Sequence, residues 1–107
     1  MAELHLNNNT LEGRIPKSLA LLRSLRVLDL GYTNITGSIP LGIYTMLKSL
    51  VFLYLASNKL DGQIPSCICN QTKNLKVLDL SRNKLHGYLP SQIGNCSSLN
   101  VLNVENN

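Results

Sequence analysis

A motif of 24 or 25 residues repeats along the whole 107-residue chain. Within it a glycine and a proline return at constant spacing, at positions Gly13, Gly37, Gly62 and Gly87 and at Pro16, Pro40, Pro65 and Pro90. Around them runs the pattern Leu-x-x-Leu-x-Leu-x-x-Asn-x-Leu-x-Gly-x-Ile-Pro. A fixed period of this length indicates a solenoid, in which each unit buries its apolar face only against its neighbours. The sequence therefore predicts one domain over residues 1–107, a single array of about 4.5 repeats.

The Leu-x-Leu pairs predict one short strand in each repeat. Alternation of buried and exposed positions is the period of a half-buried strand. The predicted strands lie near residues 3–6, 27–30, 52–55, 77–80 and 101–104. Stacked repeats place them side by side in one parallel sheet. The stretches after each proline, such as 17–22 and 91–96, are predicted to form short helical turns on the opposite side.

An asparagine follows each Leu-x-Leu pair except in the second repeat, where Thr33 takes its place. A buried asparagine can donate two hydrogen bonds to loop carbonyls and accept others. Threonine supplies only one donor. The sequence therefore predicts that the second turn is locally weaker than the others.

The repeated pattern resembles the leucine-rich repeat family. The Gly-x-Ile-Pro extension resembles the plant-specific class, which occurs in receptor-like kinases, receptor-like proteins and polygalacturonase inhibitors. Residues 76–81 and 93–99 are similar to the ectodomains of plant receptor-like proteins. The resemblance implies an α/β leucine-rich-repeat solenoid: a right-handed arc with a parallel β-sheet on its concave side and short helical turns on its convex side. It also implies a second short strand at the Gly-x-Ile segment.

The family's cysteine-paired caps, a membrane span and a kinase domain do not appear in this sequence. We therefore interpret the chain as an internal fragment or a truncated gene product, uncapped at both ends. Uncapped apolar ends favour self-association. A small natural protein that dimerises or extends a longer solenoid is the alternative. The sequence shows no leader and no run of 18 apolar residues, so an extracellular or plasma-membrane ectodomain location is expected only for a longer parent protein.

Charge and cysteine content narrow the choice of partners. The net charge is +4 with no basic run, so no nucleic-acid partner is expected. The three cysteines do not suggest a complete disulfide framework. Cys96 occupies the column of Leu22, where a small buried apolar side chain fits. Cys67 and Cys69 are expected to point outward or sideways, where they could bond to each other or to parts of a longer parent chain, and no metal site is expected.

Four sequons for N-glycosylation start at Asn8, Asn34, Asn70 and Asn95. Chance matches in an asparagine-rich repeat are one explanation, and an extracellular parent is the other. Asn70 and Asn95 share one repeat position on the predicted convex side, where a glycan would be tolerated.

The sequence does not predict an enzyme or a cofactor. His5 and His86 occupy different repeat positions and form no dyad. Asp29 and Asp79 share a column about 10 Å apart at the usual strand spacing, a distance that would suit an inverting carboxylate pair. Aspartate is common at this position in the repeat class, however, so we interpret both residues as ordinary repeat residues.

Three aromatic side chains predict where a protein or peptide partner binds. Tyr32, Phe52 and Tyr54 fall in adjacent repeats on the predicted concave face, and exposed aromatics and arginines are the usual anchors of interfaces. Gly31 and Ala56 are expected to leave room beside them. The centre of the predicted contact is formed by Tyr32, Phe52, Tyr54 and Arg82. Its rim is formed by Arg26, Asp29, Lys76 and Asp79.

Three functions remain open at this point. The resemblance favours a protein- or peptide-recognition segment of a plant receptor in defence or developmental signalling. A secreted enzyme inhibitor of the polygalacturonase-inhibiting type is the second candidate. A non-functional truncated gene product is the third.

Overall fold

The computed structural model describes residues 2–107 as short strands alternating with turns and single-turn helices. The strands are β1 (Glu3–His5), β2 (Glu12–Arg14), β3 (Val27–Asp29), β4 (Asn34–Ser38), β5 (Phe52–Tyr54), β6 (Lys59–Asp61), β7 (Val77–Asp79) and β8 (Val101–Asn103). They form two separate parallel sheets, one of five strands and one of three.

The first sheet contains the five predicted Leu-x-Leu strands in the order β1-β3-β5-β7-β8. All neighbouring strands are parallel and in register, as in the run from Leu28 through Leu53 to Leu78. These three leucines are fully buried, whereas the residues on either side of them are half-buried. The predicted parallel sheet is therefore confirmed, and residues at one repeat position form a straight column on its open face.

The second sheet joins β2, β4 and β6 at the Gly-x-Ile segment. In the fourth repeat the backbone continues this pairing without forming a regular strand, since the amides of Lys84 and His86 donate to the carbonyls of Leu60 and Gly62. The repeat glycines here have φ between 80° and 86°, a region that glycine adopts far more easily than other residues. At Gly87 a Cβ would also lie 2.8 Å from the Cδ of Gln63, but that exposed side chain can move aside, so the positive φ is the reason for glycine here.

Short helices and turns close the opposite side of the repeats. They are a 3-10 helix at Lys17–Leu21, helix α1 at Leu41–Thr45 and a second 3-10 helix at Ser91–Asn95, with a turn at 66–69 in the third repeat. The core lies between the sheets and these turns. Its largest fully buried side chains include Leu25, Leu28, Ile43, Tyr44, Leu47, Leu50, Leu53, Leu55, Leu60, Ile68, Leu75 and Leu78.

A ladder of asparagine side chains links successive repeats inside the core. Asn58 Nδ2 donates to the carbonyl of Leu30 in the preceding repeat at 2.8 Å, and its Oδ1 accepts from the amides of Thr33 and Ile35 at 3.2 Å. Asn83 makes the equivalent contacts to Leu55 and Leu60. The ladder satisfies loop groups that water does not reach.

Thr33 interrupts this ladder between the first two repeats. Its hydroxyl contacts the Leu30 carbonyl at 3.1 Å within its own repeat, and Oδ1 of Asn58 in the next one. Both contacts lie on the side away from the first repeat. The predicted local weakness of the second turn therefore has a physical basis, and it stays a prediction.

A disulfide joins Cys69 to Cys96, with a Cα–Cα distance of 5.1 Å and a sequence separation of 27. Cys96 is buried as expected, but its bond to Cys69 is not among the pairings expected from sequence, and the expectation that Cys69 points outward or sideways is wrong. Cys69 is 2% exposed and has a left-handed backbone with φ of 67°. That conformation changes the direction of its side chain, so position in the repeat alone did not reveal the bond. Cys67 remains a half-buried free thiol.

Both ends of the described array expose apolar side chains. Leu6 and Leu11 are exposed at one end and Leu89 at the other, and each end contains an open cavity, of about 260 Å³ and 530 Å³, respectively. Self-association through these surfaces stays a prediction that sedimentation can test. Within residues 2–107, no helix has both the length and the apolar character needed to cross a membrane.

Candidate partner-binding face

Phe52 and Tyr54 are neighbours on the open face of the five-stranded sheet. Their rings are nearly parallel, with an interplanar angle of 3° and centroids 6.2 Å apart. Both side chains are half-buried. In the sheet register Phe52 lies between Val27 and Val77, so the aromatic pair continues into an apolar row across three repeats. Such a row offers contact area without the entropic loss of ordering long flexible side chains.

Tyr32 and Arg82 lie just beyond the ends of their strands, where the backbone turns left-handed with φ of 56° and 55°. Non-glycine residues seldom adopt this conformation, which is typically less favourable by about 1 kcal/mol or more. Sheet-like hydrogen bonds hold it in place, since the amides of Tyr32 and Arg82 donate to the carbonyls of Ala56 and Glu105 at 2.9 Å. The Tyr32 side chain is 58% exposed and is fixed in direction by its backbone.

Gly31 and Ala56 do not open a path for a partner, contrary to the expectation from sequence. Both are buried. A Cβ at Gly31 would lie 3.3 Å from Oδ1 of Asp29 and 3.4 Å from the carbonyl oxygen of Ala56. The accessible part of the face is therefore divided between the aromatic pair and the left-handed edge.

The two aspartates have structural partners within their own repeats. Oδ1 of Asp29 accepts from the amide of Gly31 at 3.0 Å, and Oδ1 of Asp79 accepts from the amide and hydroxyl of Ser81 at 3.1 and 2.7 Å. Tyr54 separates the two carboxylates in the register. The contacts agree with the interpretation of both aspartates as repeat residues that close the turn after the strand. Within the described residues 2–107, no group of three His, Cys, Asp or Glu side chains could hold a metal ion.

The predicted contact residues are spread along the full length of the strands rather than gathered in one pocket. Arg26 and Lys76 are exposed where their strands begin, whereas Tyr32 and Arg82 lie where strands end. Six residues of extended chain correspond to about 20 Å. The eight residues therefore lie on one side of repeats two to four, with the aromatic pair in the middle.

The four sequon asparagines are all exposed. Asn8 occupies the left-handed column of Tyr32, one repeat earlier, and Asn34 begins β4. Asn70 and Asn95 adjoin the two cysteines of the disulfide. The hydroxyl of Thr72, which completes the Asn70 sequon, is buried without a hydrogen-bond partner, so a glycan at Asn70 would have to be added before the chain folds.

The fold also assembles a row of basic residues that sequence reasoning missed. Five of the ten lysines and arginines lie at the turns and strand starts of repeats two to four: Arg23, Arg26, Lys48, Lys73 and Lys76. No two of them are adjacent in sequence, so the sequence shows no basic run. The repeat period was the available signal, since Arg23, Lys48 and Lys73 are spaced by 25 residues.

Sequence comparison identifies the repeat type in most of the chain. The family described as Leucine Rich repeats (2 copies) matches residues 23–66, and the family described as Leucine Rich Repeat matches residues 2–22 and 74–96. No match was found among curated protein sequences.

Solved structures with the same fold come from plant receptors. The ectodomain of the Arabidopsis thaliana membrane receptor kinase GASSHO1/SCHENGEN3, in complex with CASPARIAN STRIP INTEGRITY FACTOR 2, is 36% identical with a TM-score of 0.91; the match covers 97% of this chain and 12% of that one. A chain of the Arabidopsis complex of the receptor kinase HAESA with the peptide hormone IDA and the co-receptor SERK1 is 36% identical with a TM-score of 0.89, over 95% of this chain and 17% of that one. A chain of the Arabidopsis thaliana BIR3–SERK2 complex is 45% identical with a TM-score of 0.90, and the match covers 95% of this chain and 54% of that one.

The chain thus spans between about an eighth and just over half of these structures. The repeat motif, the two parallel sheets and the match over nearly all of its length agree with one another. The chain belongs to the leucine-rich repeat family, and it resembles the ectodomains of plant receptor kinases.

Proposed function

We propose that this chain is a protein- or peptide-recognition segment of a plant leucine-rich-repeat receptor, acting by binding and not by catalysis. Its contact centre comprises Tyr32, Phe52, Tyr54 and Arg82, with Arg26, Asp29, Lys76 and Asp79 at the rim. The parent protein is extracellular or a plasma-membrane ectodomain, and the four sequons carry its glycans.

One observation carries this proposal: the aromatic pair of Phe52 and Tyr54 lies on the open face of a sheet held in register on both sides. An aromatic contact surface on a rigid backbone loses little entropy when a partner binds. Similar structures include receptor kinases solved with a peptide hormone or with an integrity factor, which supports a peptide as the partner. Signalling in defence or development is the setting that the resemblance favours.

The test starts with the chain immobilised and a library of random twelve-residue peptides displayed on phage. Selected peptides are synthesised and their affinities measured for the wild type and for the Tyr32→Ala, Phe52→Ala and Tyr54→Ala variants. Tyr54→Ala should weaken binding by about 1–3 kcal/mol, which corresponds to roughly fivefold to 150-fold.

Tyr88→Ala is the matched control, because Tyr88 is 96% exposed outside the five-stranded sheet. This variant should bind the selected peptides like the wild type. Each variant is first shown to be folded by circular dichroism. The proposal is overturned if no peptide is selected, or if all three face variants bind as tightly as the Tyr88→Ala control.

A further inference from the structure

The turns that precede the strands of the five-stranded sheet carry a positively charged surface. We call it the basic strip, and it consists of Arg23, Arg26, Lys48, Lys73 and Lys76. All five residues are exposed. Among residues 2–107 the only close contact between a basic and an acidic side chain joins His5 to Glu3, so no described acidic side chain pairs with the strip. None of the six acidic residues lies in these turns.

Backbone hydrogen bonds hold the strip in line. The amide of Val51 donates to the carbonyl of Arg26, and the amide of Lys76 donates to the carbonyl of Val51, both at 2.8 Å. Arg26 and Lys76 are therefore two strand steps apart, which corresponds to about 10 Å. The turns at 23–24, 48–49 and 73–74 repeat the same geometry three residues earlier. The strip thus has a row of three basic residues at the turns, Arg23, Lys48 and Lys73, and beside it Arg26 and Lys76 with Val51 between them.

Two shallow depressions lie between these cations. One, of about 380 Å³, is lined by Arg26, Ser49, Val51, Asn74, Lys76 and Ser98. The other, of about 410 Å³, is lined by Arg23, Thr45, Met46 and Lys48. Each therefore combines cationic groups and hydrogen-bonding side chains with an apolar side chain, Val51 or Met46. This composition suits carboxylates interspersed with apolar groups.

We propose that the basic strip binds an acidic peptide segment of a protein partner. A peptide in the polyproline II conformation has three residues per turn and rises about 3.1 Å per residue. Carboxylates three residues apart then lie on one side of the peptide about 9 Å apart, which is close to the roughly 10 Å between the backbone positions of Arg26 and Lys76. The strip includes no aromatic side chain on which nucleobases could stack, as single-stranded nucleic-acid sites require. Peptide side chains can supply both the carboxylates and the apolar groups that the two depressions accept.

This inference deepens the proposed recognition function and rests on it; the strip shares Arg26 and Lys76 with the proposed rim but adds three residues of its own. The turn row of Arg23, Lys48 and Lys73 lies outside the proposed contact centre and rim. Replacing that row therefore tests the strip, whereas replacing Tyr54 tests the aromatic centre. The two proposals can fail independently of each other.

The probe is a fluorescein-labelled decaglutamate peptide, with labelled decaglutamine as its uncharged counterpart, and binding is measured by fluorescence anisotropy. The strip variant combines Arg23→Gln, Lys48→Gln and Lys73→Gln. The control variant combines Arg14→Gln, Lys59→Gln and Lys84→Gln, which also removes one arginine and two lysines at exposed positions. Both variants have the same net charge, so any difference between them reports the position of the charges.

The wild type should bind decaglutamate and not decaglutamine, and added salt should weaken binding because exposed charges are screened. The strip variant should bind roughly threefold to a hundredfold more weakly, since each exposed ion pair typically contributes a factor of about 1.4 to 5. The control variant should retain most of the affinity. Alginate, a carboxylated polysaccharide, and a single-stranded oligonucleotide should bind more weakly than the peptide at equal charge.

Three results overturn the proposal. The first is no binding of decaglutamate above decaglutamine, and the second is an equal loss in the strip and control variants, which would report net charge alone. The third is tighter binding of alginate or the oligonucleotide, which would make the strip a general polyanion site. Circular dichroism of both variants guards against loss of folding, and a misfolded strip variant is replaced by the single substitutions Lys48→Gln and Lys73→Gln with Lys59→Gln and Lys84→Gln as controls.

Discussion

Removing the Asn58 side chain should unlink the second repeat from the third. Asn58→Ala leaves the buried amides of Thr33 and Ile35 without their acceptor and the Leu30 carbonyl without its amide donor. A buried donor left without a partner costs about 1–3 kcal/mol. Two such amides together would lower the free energy of unfolding by roughly 2–6 kcal/mol. Because water can partly enter the space left by the Asn58 side chain, we expect a loss of about 3 kcal/mol.

The assay is urea unfolding followed by circular dichroism, combined with hydrogen exchange of individual amides. In a solenoid, stability is approximately a sum of repeat terms and nearest-neighbour terms. Exchange should therefore accelerate most at the amides of Thr33 and Ile35. Asn100→Ala is the control, because Asn100 is exposed and surface substitutions usually change stability by less than about 0.5 kcal/mol. A loss in Asn58→Ala no larger than in this control, or unchanged exchange at both amides, would refute the reasoning.

Three further predictions concern Thr33, the disulfide and the buried Tyr44. Thr33→Asn should raise stability by about 1 kcal/mol, because an amide donor at this buried position can reach the first repeat; a lower urea midpoint would contradict this. Reducing the Cys69–Cys96 bond, which closes a loop of 27 residues, should cost about 3 kcal/mol. Dithiothreitol should therefore lower the melting temperature of the wild type but not that of the Cys69→Ser/Cys96→Ser variant. Burial, with a smaller contribution from nearby Cys67, raises the pKa of Tyr44 above its ordinary value of 10.0. The unfolded chain then loses this proton first, so stability present at lower pH declines above about pH 10, and Tyr44→Phe should remove part of that decline in unfolding midpoints measured at several pH values.

The parts of the fold that depend on the repeat period were predictable from sequence. The leucines at 28, 53 and 78 specify strand, direction and register together, since a shift by one residue would turn them outward. The second short strand of the repeat was predicted from the resemblance to the family and not from the leucine pattern. These features repeat, so each copy of the motif supports the same assignment.

Features that depend on a single residue's conformation, or on the stacking of distant residues, were not predictable in this way. The left-handed backbone of Cys69 directs its sulfur towards Cys96, and no pattern in one repeat indicates it. The basic strip is invisible in any short window because its members are separated by whole repeats. Gly31 and Ala56 were expected to be open because alternation predicts the side of the sheet but not how closely neighbouring atoms pack around a position, such as Asp29 and Ala56 around Gly31.

The left-handed edge that contains Tyr32 and Arg82 also determines how this protein could be engineered. Asparagine and glycine adopt that backbone most readily, and the same column contains asparagine at Asn8 and Asn106. Exchanging Tyr32 for asparagine would relax the backbone while deleting the largest exposed side chain of the edge. Selection for heat resistance alone would therefore enrich variants that lack a large side chain at this edge. A library designed for new binding specificity should instead vary Tyr32 and Arg82 and recover the lost stability elsewhere, at positions such as Thr33.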